Sequence, residues 1–173
     1  MKNGTLIIDG KEYNVQLSEA DVAEIEKPRT GYEREKDGKC FFATNYDEAI
    51  SFPVTNDSRD DYHYNAADYY TDKELASGNA RAETLMRRLR QWQALNDKPV
   101  DWQNYDGKWH IAYEYTDKKP VAKWMCSSRN IGGIYFSSEE KAQEAIEVFK
   151  DELIWYFTEY RQRLDEPARD EAE

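Results

Sequence analysis

Two cysteines and two histidines in 173 residues leave little of the usual site chemistry. Cys40 and Cys126 are far apart and in no metal-ligand spacing, which excludes a disulfide framework and a zinc pattern. Cys126, beside Ser127 and Ser128, reads as a small residue closing a strand rather than as a nucleophile. His63 sits in "DDYHYN", where Asp60 and Asp61 read as part of an exposed, solvated acidic loop. His110 follows Trp109 and reads as a surface or half-buried strand residue. A phosphate-cradling glycine loop and a nucleophile-elbow serine are both missing. No apolar run approaches the length of a membrane span, and the start, "MKNGTLIIDGKEY", has no secretory-signal pattern. These absences lead us to expect a cytoplasmic protein that is not an enzyme, holds no cofactor or metal and makes no direct membrane contact.

What is present is aromatic and acidic. Aromatics reach 14%, with 13 Tyr and 5 Trp, too many for a disordered chain. The formal net charge is −11, which disfavours free nucleic acid and anionic membranes and favours a basic partner. The charge is uneven. Residues 1–70 carry 15 acidic against 8 basic side chains and residues 137–173 carry 12 against 5, whereas 71–136 carry 8 against 11.

Pattern predicts an α+β fold: an N-terminal ββα unit, then two similar modules of β-strands followed by a long helix, sharing a core. Asp9-Gly10 is a hairpin turn signal between "TLII" and "KEYNVQL", with Tyr13, Val15 and Leu17 on a buried face. Ser18 and Asp21 form a capping box, and Pro28 and Gly31 end the helix. The phrase "YYTDKELA" at 69–76 returns as "YFSSEEKA" at 135–142. Each copy follows an Asp-Gly-Lys and an aromatic-rich strand, and each opens a helix at Thr71 or Ser137, with Glu three positions on. Leu75, Ala82, Leu85, Met86, Leu89 and Trp92 give the first long helix its inner stripe. Ala142, Ala145, Ile146, Phe149, Leu153, Tyr156, Phe157 and Tyr160 do so for a last helix over 138–164. The expected divisions are 1–31, 32–99 and 100–164, with a disordered acidic tail at 165–173.

Three surface groups are candidates. Glu140, Glu144, Glu147 and Asp151 share one face of the last helix. Like charges at that spacing repel by a few tenths of a kcal/mol per pair and stand roughly 5–6 Å apart, not far from phosphate spacing along a nucleic-acid strand. They read as a solvated face or as a nucleic-acid-like surface for a basic groove. Asp57, Asp60, Asp61 and Asp68, with Tyr62 and Tyr64, form a second acidic-aromatic patch able to meet arginine. Against these stand Arg81, Arg87, Arg88 and Arg90 with Trp92, an alternative nucleic-acid-binding set that also reads as arginines lying over the core edge. Ile154 and Trp155 fall off the inner stripe and await cover from the N-terminal hairpin, a partner or a second copy.

The segments "NGTLIIDGKEYNVQLSEADVAEIEK", "ARAETLMRRLRQWQALN" and "IYFSSEEKAQEAIEVFKDELIWYFTEY" resemble a group of small acidic proteins of phages and mobile elements of Gram-positive bacteria. The resemblance runs over nearly the whole chain but rests on structural motifs and carries over no catalytic residue. Such proteins include inhibitors of host defence, among them anti-CRISPR proteins that occupy the basic groove of an effector nuclease. It implies an inhibitor in the bacterial host cytoplasm, monomeric or homodimeric, bound to a basic host protein such as a CRISPR effector nuclease, with or without guide RNA. The alternatives are a nucleic-acid-binding accessory using the Arg/Trp helix and a self-assembling structural phage component.

Overall fold

Asp9 and Gly10 take positive φ, 48° and 76°, the pair of left-handed residues that a two-residue hairpin turn demands. They join strand β1 (Lys2–Ile8) to β2 (Lys11–Leu17), with Leu6 opposite Tyr13 and Gly4 opposite Val15. Helix α1 (Glu19–Glu26) follows. The Ser18 hydroxyl accepts from the Asp21 N–H, and the Asp21 carboxylate accepts from the Ser18 N–H. The ββα start and its capping box are as expected; the buried face is not. Tyr13 is 48% exposed, Val15 and Leu17 are half-buried, and Val22 is buried. Two short strands and a two-turn helix enclose too little volume for a fuller core.

The structure, a computed structural model, describes residues 2–103, 107–125 and 128–166. It divides into two compact units, Met1–Thr30 and Gly31–Glu173. The second unit runs β3 (Cys40–Asn45), β4 (Glu48–Pro53), α2 (Ser58–Asn65), α3 (Lys73–Asn96), β5 (Lys108–Glu114), β6 (Lys119–Met125), α4 (Glu139–Val148) and α5 (Lys150–Thr158). Among the described residues there are five helices and three antiparallel two-stranded sheets, an α+β fold. Asp106, Cys126, Ser127 and the tail from 167 lie outside the described residues.

The repeated phrase has a structural counterpart. Phe42 of β3 forms a one-residue bridge with Tyr70, and Trp109 of β5 forms one with Phe136. In both cases the bridging residue stands two positions before a helix N-cap. Each copy therefore supplies a buried aromatic (Tyr69 or Tyr135), a buried bridging aromatic (Tyr70 or Phe136), a spacer and a cap. The caps are Asp72, accepting from the Leu75 N–H at 2.8 Å, and Ser138, accepting from the Lys141 N–H at 3.3 Å. This corrects the expectation of Thr71 and Ser137. The Ser137 N–H and hydroxyl both donate to Asp97 at the end of α3, and Thr71 bonds through its backbone, its N–H donating to Gly31 O.

Two further expectations change. The polar stretch containing "DDYHYN" is not a loop but α2, capped by Asp57. The single last helix is instead two, broken at Phe149 (φ −112°, ψ 20°) and ended at Thr158. Beyond that end, the Tyr160 hydroxyl donates to Asn79 Oδ1 at 2.6 Å, and the Tyr32 hydroxyl donates to Gln162 O at 3.1 Å. These bonds draw the chain off the helix axis.

α3 is the common element of the core. Its first turns pack Leu75 and Ala76 with Tyr70, Phe42 and Leu164. Its later turns pack Leu85 and Leu89 against Phe136, Ala145, Ile146, Phe149 and Leu153. Leu75, Ala82, Leu85 and Leu89 are buried as the stripe predicts, and Met86 and Trp92 are half-buried. A third cluster, Phe41, Ala43, Val54 and Tyr69, packs on the β3–β4 hairpin. Gly31 takes φ +92°, and a Cβ there would stand 2.3 Å from Leu75, so only glycine fits.

Candidate functional site

The α4 sequence places two acidic rows side by side, Glu139–Gln143–Glu147 and Glu140–Glu144, each at the i, i+4 spacing of one helix face. They form one wall of an open groove of about 770 Å³ whose other lining residues are Trp92 and Asn96 of α3 and Val148. Trp92 is fixed edge-on against the buried Phe136, with ring centres 6.1 Å apart. Val148 is 59% exposed. No lysine, arginine or histidine lines this groove. Within the wall, Lys141 Nζ pairs with Glu144 at 2.6 Å, and Gln143 Nε2 donates to Glu147 at 3.2 Å. Glu140 lies in the first turn, where its own backbone N–H and then the Ser138 hydroxyl hold its carboxyl below the usual range. The groove is thus a negative wall beside an apolar floor. It can receive a cationic side chain whose stem or plane rests on the indole.

Glu140, Glu144 and Glu147 of the expected stripe come together here. Asp151 is exposed but lies beyond the Phe149 break, on α5, and does not line the groove. Trp92, grouped from sequence with the arginines, joins the glutamates instead. Glu139 escaped the sequence reading because Gln143 interrupts its row.

The second acidic group is largely consumed by the fold. Asp60 is fully buried, and its Oδ2 accepts the backbone N–H groups of Thr55 and Asn56 at 2.7 Å each. That corrects its reading as a solvated loop residue. Asp57 caps α2, Asp61 pairs with Arg34, and Asp68 accepts the Thr44 N–H at 2.8 Å. Arg34 also lies over the Tyr64 ring at 5.5 Å, while Tyr62 remains 70% exposed. His63 packs against both the Phe41 and Phe52 rings, which stack on each other. Burial pushes the His110 imidazole below its ordinary pKa.

The arginine set splits between two sides of α3: Arg81 and Arg88 (i, i+7) border one groove, and Arg87 and Arg90 (i, i+3) border another. Arg81 bonds Glu152 at 3.0 Å and stacks 3.9 Å above Trp155, giving that ring its cover. Arg87 reaches Tyr46 O and Glu83, and Arg88 lies over Phe149. Arg90 also borders a second pocket, with Arg129. Sequence reasoning also missed Asn79, which is buried and ties Tyr32 to Tyr160. The only hint was a polar residue on the stripe between Leu75 and Ala82.

No helix among the described residues is long and apolar enough to cross a membrane. Nor do the described residues bring three or more His, Cys, Asp or Glu side chains into an arrangement that could hold a metal ion. No protein-family model, curated protein or solved structure matches this chain.

Proposed function

We propose that the protein is a phage or mobile-element inhibitor whose acidic groove docks onto a basic, nucleic-acid-handling host protein. A CRISPR effector nuclease is the first target to test. The observation that carries this reading is the groove itself: four glutamates beside Trp92 and Val148, with no cation among the lining residues. From Glu139 to Glu147 the wall extends about 12 Å, a length over which a nucleic-acid strand presents comparable negative charge. Arginines that bind phosphate and stack on bases find here a carboxylate and an indole in their place. The resemblance to acidic phage-borne proteins supports the same target class. Net charge of one sign speeds encounter with a basic groove and makes association salt-sensitive.

The test is target-DNA binding and cleavage by a purified, guide-loaded effector nuclease, with and without this protein, across a salt series. Inhibition should weaken with salt and disappear in the Glu140→Lys/Glu144→Lys/Glu147→Lys protein. Undiminished inhibition by that triple variant would remove the groove from the mechanism.

A further inference from the structure

We propose that the pocket bounded by Arg90, Arg129 and the turn 130–133 is an oxyanion site for a phosphate group. The pocket measures about 410 Å³ and is lined by Arg90, Arg129, Asn130, Ile131, Gly132 and Gly133. With 35 acidic against 24 basic side chains in the chain, a pocket with two guanidiniums and no carboxylate runs against the composition. Arg34, Arg59, Arg81, Arg87 and Arg163 each reach a carboxylate. Arg90 and Arg129 reach none among the described residues.

The parts are held by common supports. Arg129 lies 5.1 Å from the centre of the Trp102 ring, which meets Tyr135 edge-on at 4.9 Å. The Tyr135 hydroxyl accepts the Asn130 N–H at 2.7 Å, and the Gly133 N–H donates to Asn130 O at 3.1 Å, closing the turn. Gly132 takes φ +75° at the third turn position, as a type II turn requires. Nothing lies within 4 Å of where its Cβ would stand, so the turn presents backbone to open space. One buried tyrosine thus anchors both the turn and the ring that orients Arg129. Guanidinium matches the geometry of phosphate oxygens and binds them in pairs. Two guanidiniums that lack a carboxylate partner border the same pocket, and a multiply charged phosphate bound there supplies the missing anion. The surrounding negative charge repels polyanions at long range, so the site acts by short-range bonding. The phosphate is either free or borne on a nucleic-acid backbone. No residue of this pocket belongs to the acidic groove, and the inference stands apart from the inhibitor reading.

The experiment is calorimetric titration of the full chain in phosphate- and sulfate-free buffer. One arm uses inorganic pyrophosphate and the other a short single-stranded oligonucleotide. At least one should bind saturably, and Arg90→Gln/Arg129→Gln should weaken it at least about tenfold. Arg87→Gln, on the same helix, should leave binding unchanged. Binding of pyrophosphate indicates a free phosphate; binding of the oligonucleotide alone places the phosphate on nucleic acid. The substituted residues are all exposed arginines, and circular dichroism checks that each variant folds. Absence of saturation in both arms, or equal weakening by Arg87→Gln, overturns the site.

Discussion

Asp60 shows how one carboxylate can look like surface in a sequence and be structure in the fold. It is fully buried and accepts two backbone N–H groups from the segment that leads into α2. Asp60→Ala leaves both donors dry, which should cost about 2–4 kcal/mol, read as a lower denaturation midpoint. Neighbouring Asp61→Ala removes only an exposed pair with Arg34 and should cost about 1 kcal/mol or less. Tyr160 gives a pH signature. Burial first, then the Tyr32 hydroxyl and nearby carboxylates, push its pKa from 10.0 up to about 12. Below pH 10 the phenol is protonated in both folded and unfolded chains and stability is unaffected. Between 10 and about 12 the unfolded chain loses the proton first, so stability falls as pH rises. Denaturation midpoints measured across that window should drop, and Tyr160→Phe should flatten part of the drop.

At the scale of elements, the repeated junction locates each helix start one residue later than the sequence reading does. Asp72→Ala should cost about 1 kcal/mol. Thr71→Val should be nearly neutral, because the buried Thr71 hydroxyl has no hydrogen-bond partner among the described residues. The reverse order in thermal unfolding would return the cap to Thr71. The periodic parts of the fold were legible: the hairpin turn at Asp9-Gly10, the α1 capping box and the inner stripe of α3. What escaped depended on contacts distant in sequence. α2 has no apolar stripe and is organised around buried Asp60. The Phe149 break falls inside an unbroken helical pattern. Asn79 looks like a flaw in a stripe until Tyr32 and Tyr160 arrive from 47 and 81 residues away. For the candidate site, three of the four glutamates were visible as a helix face. The groove was not, because Trp92 comes from another helix and meets them only after packing.

For the whole molecule, the question is whether its negative charge is simply solvated or is held at a cost. α4 separates the two, because its glutamates do not serve the helix equally. Glu139 and Glu140 lie in its first turn, where the helix dipole favours negative charge, and Glu144 has Lys141. Glu147 lies in the last turn, where the dipole opposes it, and it accepts a hydrogen bond from the neutral Gln143. Glu147→Gln should therefore stabilise the protein by a few tenths of a kcal/mol, visible as a slightly raised midpoint that shrinks with added salt. If the wall exists to meet cations, the same change should weaken association with a basic partner and lessen its salt dependence. A surface that is merely solvated predicts the gain in stability without the loss in binding. Measuring both on one variant separates a charge kept for recognition from a charge kept for solubility.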